Sequence, residues 1–478
     1  MTISRIISAG LTGLFLAITA QAAAYANEVE DFVAQLKSHY ADTLNIQKFS
    51  LNYHYLSNFR GNWDYASPDR YLSVRTVDVD MTKKYFYDHD YLYLAGGMIL
   101  DRVQFQNDRE SYSYERNGST KGKRVLNKGM GNFDAFQTHN MVNIGFLAVR
   151  PLLAETDIKG TITLKTDPAS GTKTLAHISS DKSVTNYTFS TSPIRLLSIE
   201  NKKKRSKFIY SDHQTTEGFT YARTLLKYYG GAAEPNFISY INRFTVIDQV
   251  DPVRLQLPEG YGPELPKSDG ILRASEVASN LYLITTNASS RNSMFQVNGD
   301  NITVFEASSS PRQAEKVIEL ITEKFPNKAI TAVHVSHHYR SQIAGLLPFA
   351  KRDIKILADD YTIGAIKAYP RFQKDIHTFK FEAIKHGQVR NGATFYTLEN
   401  TRAKRHSFVH FKDSGILFQA NFLHVSYDNT IPKIIPSYTR SFLDFIKAQQ
   451  LNVTRIVASQ RNNNITPEVM HKIHQAYR

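Results

Sequence analysis

The hydrophobic pattern of this chain changes period near residue 270, and that change limits the fold more than any other feature. Before it, short segments alternate apolar and polar residues as strands do, over 53–56, 71–77, 84–88, 91–94, 161–165, 183–189, 207–211 and 238–247. They are rich in aromatic and β-branched residues and are separated by Gly, Asn, Asp and Pro clusters. Two intervals have helical spacing instead: 28–40, with Val29, Phe32, Val33 and Leu36 on one side, and 133–153. After residue 270 strands alternate with helices. Strands are expected over 281–284, 293–297, 302–307, 329–335, 355–358, 393–398, 407–411, 415–420 and 455–458. Helices are expected from Ser310, as N-cap before Pro311, and over 343–350, 438–449 and from Pro467 onward. The run Leu257-Pro-Glu-Gly-Tyr-Gly-Pro-Glu-Leu-Pro266 reads as the linker. The 478 residues exceed one ordinary domain. The expectation is an α+β chain with an antiparallel β-rich domain over 27–262, forming one curved sheet, and a second domain over 270–478 with two sheets and helices outside.

The first residues read as a processing signal. Arg5 precedes an apolar run from Ile6 to Thr19, and Ala24-Tyr-Ala26 fits the small-x-small cleavage rule, with Ala20-Gln-Ala22 as a second option. A mature chain starting near Asn27, in the periplasm or secreted, is expected. The run is shorter than the roughly 20 residues a membrane span needs. The chain has no cysteine, so an exported form has no disulfide framework, thiolate ligand or thiol nucleophile. Its formal charge of +14 suits an anionic small molecule or a membrane surface. The one dense basic run, Asn201-Lys-Lys-Lys-Arg-Ser-Lys207, lacks the interleaved aromatics of nucleic-acid grooves and reads as a solvated hairpin turn, so no nucleic-acid partner is expected.

The chemically suggestive stretch is Val335-Ser-His-His-Tyr-Arg-Ser-Gln-Ile-Ala-Gly345. Together with Asn280-Leu-Tyr282, Glu306-Ala307, Phe325-Pro-Asn-Lys-Ala-Ile330, Asn400-Thr-Arg402, Gly415 to Asn421 and Leu451 to Val457, it resembles the metallo-β-lactamase superfamily, in the branch of exported proteins with an N-terminal β-rich domain. The resemblance covers residues 278–478 and implies an αββα sandwich whose imidazole and carboxylate ligands hold one or two Zn²⁺, which activate water. It also implies that this chain departs from the ligand set. His337 keeps its ligand type, whereas Tyr339, Ser341, Gln342, Arg402, Asn421 and Gln460 stand where other ligands belong, and Arg461 replaces a glycine.

Amide and hydroxyl oxygens are weak zinc donors, and an arginine among them repels a dication. The expected reading is therefore a pseudoenzyme of a metal-dependent hydrolase family, with no cofactor and no assigned catalytic residue, acting as a binding or accessory protein. Arg340, Arg402 and Arg461 are candidates for holding a carboxylate or phosphate group; the alternative is that they pair with Glu306, Asp413 or other carboxylates. The competing reading is a hydrolase of an ester, amide or lactone, using zinc on His337, His338 and His406. His334 lies on the strand face of Ala332, and His406 and His410 share a face that alternation leaves unassigned.

Overall fold

The computed structural model describes residues 27–58, 70–117, 120–126, 132–216, 219–288, 291–307 and 309–476; the processing signal read over 1–26 lies outside them. The alternating segments of the first half assemble into one antiparallel sheet, thirteen strands among the described residues. Lys48–Asn58 lies beside Phe237–Val246 at its centre. Hairpins run outward from the first to Arg124–Val125 at one edge, and from the second to Ile162–Thr166 at the other. Phe49, Leu51 and Tyr53 share a face, as period two requires, and pack with Phe32, Val33 and Leu36 of the helix over 27–39. The helical interval supplies Phe146, Val149 and Leu152 to the same core. The opposite face of one end holds Tyr87, Val103, Phe105 and Tyr114 with Leu255, from the turn Pro252–Leu255.

One boundary differs from the sequence reading. The segments 84–88 and 91–94 belong to a single strand, Tyr85–Tyr93. Asp88 and Asp90 resemble turn punctuation but are buried, and each has a partner on the neighbouring strand. Arg75 Nε donates to Asp88 at 2.6 Å and Nη2 bonds its second oxygen, while the Ser73 hydroxyl bonds Asp90. Charge-assisted partners remove the penalty that would otherwise end the strand there. Strands Ile99–Gln106, Ser111–Glu115, Lys173–Ile178, Ile194–Asn201 and Phe219–Tyr229 complete the sheet. The basic run forms the exposed turn between Ile194–Asn201 and Ser206–Thr216.

Among the described residues the second half contains a seven-stranded sheet over residues 273–383 and a five-stranded sheet over 388–458. Adjacent residues of one strand enter different cores. Met294, Phe305, Val409, Phe418 and Val457 lie between the sheets. Phe295, Val304 and Ile356 face outward against Val317, Ile318 and Ile321 of the helix Pro311–Lys324. Phe408, Leu417 and Ile456 face Phe442 and Ile446 of Ser437–Ala448 and Ile473 of Pro467–Gln475. The layers are thus helix, sheet, sheet, helix. Ser310 caps its helix by accepting from the Gln313 amide at 3.2 Å. The helix expected over 343–350 is instead two short ones, Arg340–Ile343 and Leu346–Ala350. Pro348 has no N–H to continue the ladder to Ala344, so the turn restarts after Gly345. No helix among the described residues is long and apolar enough to cross a membrane.

Candidate functional site

Parallel pairing brings several strand ends to one level. Asn301–Phe305, Ala329–His334 and Lys355–Ala358 run parallel in one sheet, as do Ile416–Gln419 and Arg455–Ala458 in the other. Just beyond these ends come Glu306, His337, Asn421 and Gln460. His406 opens a strand antiparallel to Ile416–Gln419 and therefore starts at the same level. The carboxyl ends of such strands are where open α/β sheets gather ligands. Glu306, Asn421 and Arg461 have φ of 72°, 65° and 65°. A non-glycine residue held there costs about 1–3 kcal/mol and persists only when its surroundings enforce it.

At the centre is a directional chain of hydrogen bonds. Gln460 Nε2 donates to Asn421 Oδ1 at 3.1 Å, the Asn421 amide nitrogen faces His337 Nε2 at 3.4 Å, and His337 Nδ1 lies 2.8 Å from Ser336 Oγ. A neutral His337 with its proton on Nδ1 satisfies every step. Burial holds its pKa well below the usual value, and His406, Arg402 and His338 lower it further. His406 is stacked on Phe422, centroids 3.6 Å apart, and its Nε2 bonds the Ala420 carbonyl. Its ring centroid is 4.3 Å from that of His337.

Arg402 is buried beside this chain. Its guanidinium lies 5.3 Å from the Tyr339 ring centroid and 5.1 Å from that of Tyr438. It donates to the Tyr438 hydroxyl at 2.8 Å and approaches His424 Nε2 at 3.5 Å and Met98 Sδ at 3.4 Å. Stacking on two aromatic faces offsets part of the cost of burying the cation. Burial, then Arg402 and Arg461, keep His424 neutral to well below its usual pKa. His424 and Tyr438 were not among the residues singled out in the sequence. His424 follows Asn421 by three positions in an aperiodic stretch, and nothing in the sequence signals it.

The other candidates lie elsewhere. Ser341 donates to Gln342 Oε1 at 2.5 Å, and both line a small cavity with Glu306 and Arg291. Glu306 accepts from the Ser336 amide at 3.0 Å, and burial pushes its pKa up to about 7. Arg340 is exposed on its short helix. Arg461 pairs with Glu115 of the first sheet at 3.2 Å, a carboxylate the sequence did not single out. His338 packs on Tyr361 with centroids 5.7 Å apart. His334 bonds the Ser407 hydroxyl at 2.9 Å, and burial lowers its pKa to about 3. His410 lies on the same strand face as His406 and Phe408 and bonds the Asn452 carbonyl at 3.0 Å.

The first sheet closes over Arg402 through one turn. Gly96 has φ 75°, and a Cβ there would meet Tyr438 Cδ1 at 2.7 Å. Gly96→Val is expected to destabilise the protein by about 2 kcal/mol or more, since it adds left-handed strain to a clash with a buried ring. The urea midpoint checks this.

The donor set does not fit a dinuclear zinc centre. His337 Nε2 is turned to an amide N–H, and the nearby charge is a guanidinium. Among the described residues no group of three or more His, Cys, Asp or Glu is placed to hold a metal ion.

No protein-family model and no curated protein matches this chain. Among solved structures, the FIM-1 metallo-β-lactamase of Pseudomonas aeruginosa in its mono-zinc form aligns with 43% of this chain and 94% of its own, at 12% identity and a TM-score of 0.34. A metallo-β-lactamase from Hirschia baltica aligns with 43% of this chain and 96% of its own, at 12% identity and 0.33. One from Erythrobacter litoralis aligns with 43% of this chain and 95% of its own, at 15% identity and 0.32.

Proposed function

We propose that this chain is an exported, non-hydrolytic binding or accessory protein, periplasmic or secreted, on a metallo-β-lactamase-like scaffold. Its ligand is a small anionic molecule or a protein partner. One observation carries the reading: His337 Nε2, the atom a metal would need, faces the Asn421 amide, and Arg402 is buried beside it. Neutral amide donors and a fixed cation supply neither the negative ligands that hold Zn²⁺ nor a base that activates water. A hydrolytic reading on His337, His338 and His406 has support in the close approach of the His337 and His406 rings, and the same experiment distinguishes the two.

Protein purified after growth with zinc is expected to carry substoichiometric metal by mass spectrometry. It is also expected to hydrolyse p-nitrophenyl acetate no faster than a buffer blank, with His337→Ala changing neither result. Stoichiometric zinc with ester hydrolysis, both lost in His337→Ala, overturns the proposal.

A further inference from the structure

We infer that the cleft between the edge of the first sheet and the segment after Arg455–Ala458 binds a small dianion, a molecule carrying two carboxylate or phosphate groups on a polar body. The cleft has a volume of about 390 Å³, within the range of small-molecule sites. Arg102 of Ile99–Gln106 and Arg124 of the edge strand Arg124–Val125 line one wall. Tyr427, Gln460 and Arg461 line the other. Among the described lining side chains Glu115 is the one carboxylate, against three guanidinium groups, which leaves a surplus of positive charge for an anionic ligand to match.

The existing ion pairs leave this charge available. Glu115 meets Arg461 at 3.2 Å, and Asp90, outside the lining, reaches Arg102 at 3.4 Å. The two carboxylates are largely buried, whereas the guanidinium groups of Arg102 and Arg461 keep 48% and 30% of their exposure; each has five donors, so an incoming anion shares the fork without displacing the carboxylate. Planar forks recognise carboxylate and phosphate bidentately, which favours these groups over other anions. Arg124 and Arg461 both oppose the rise that burial imposes on the Tyr427 pKa. Arg461 also keeps a left-handed backbone, φ 65°, at a position where glycine would be unstrained. The Gln460 amide joins the cleft to the chain ending at His337. The inference rests on the binding reading in one respect, that the ligand is retained and not cleaved.

The test is calorimetric titration of the full chain with inorganic pyrophosphate and with malate at low salt, glucose serving as the neutral control. At least one of the two anions is expected to bind, more weakly as salt rises, and glucose is not. Arg124→Ala, at an exposed side chain, and Arg461→Ala are each expected to weaken binding about tenfold or more, the size of one charge-assisted contact. The tighter anion identifies the group recognised. No binding of either anion at millimolar concentration, or binding unchanged in both variants, overturns the inference. Binding that both variants weaken, with pyrophosphate recovered as phosphate, supports the cleft and overturns the non-hydrolytic reading.

Discussion

Phe305→Ala is expected to lower stability by about 3–5 kcal/mol, the usual cost of removing a fully buried phenylalanine from a core that cannot collapse around the gap. The ring is fully buried between the two sheets of the second half, edge-on to Phe411 at 5.1 Å and 6.4 Å from both Phe395 and Phe418. Strands on both sides fix those neighbours, so relaxation is limited. A urea transition followed by far-UV circular dichroism measures the shift. Val253→Ala serves as the control: that side chain is 76% exposed, and its loss is expected to change stability by less than about 0.5 kcal/mol. A drop below about 1 kcal/mol for Phe305→Ala would mean the two sheets are not packed through this ring.

Glu306→Gln is expected to stabilise the protein at pH 8 by about 3 kcal/mol and to leave it nearly unchanged at pH 4. Glutamine keeps the oxygen that accepts from the Ser336 amide and cannot ionise. With its pKa pushed up to about 7 by burial, the folded carboxyl holds its proton more tightly than the unfolded one, near 4.5. Its contribution to stability is therefore full below pH 4.5 and is lost as pH rises through 7. The buried histidines act in the opposite sense. The pKa values of His337, His406 and His424 are depressed, so their contribution is present above their usual value near 6.5 and lost as pH falls below it. Comparing wild type and Glu306→Gln at each pH cancels the histidines and isolates the carboxyl. Parallel stability curves for the two proteins from pH 4 to pH 8 would show that Glu306 ionises freely when folded.

The sequence and the structure agree on most elements that one strand or helix settles by itself, although Pro348 divides the helix expected over 343–350. Alternation separates Ile456 from Val457 and Phe408 from Val409, and the three-dimensional cores divide at the same places. Ser310 and Pro311 mark a helix start without outside help. The sequence reading falls short where a partner lies far along the chain. Asp88 and Asp90 resemble breakers until Arg75 and Ser73 are placed beside them by strand pairing. Arg461 finds Glu115 at a separation of 346 positions, and Arg402 finds Met98 at 304. No local pattern encodes such meetings. His406 and His410 share a face, as alternation requires, but only the pairing of the sheet assigns that face to the side of Phe408 and Phe442.

The one-way order of the bonds from Gln460 through Asn421 and His337 to Ser336 makes this region hard to change one residue at a time. The Asn421 amide uses both its ends, accepting from Gln460 at Oδ1 and donating toward His337 at its nitrogen. An aspartate at 421 would still accept from Gln460 but would set an acceptor against His337 Nε2. The imidazole would then have to move its proton to Nε2 and accept from the Ser336 hydroxyl at Nδ1, reversing the direction of that bond. A histidine at 402 would remove that cation and leave Tyr339 and Tyr438 to repack. Each single replacement therefore obliges a neighbour to change its bonding or its packing as well. Over generations such an arrangement holds its residues together: a change at any one of these positions leaves a buried polar group at the next without its partner.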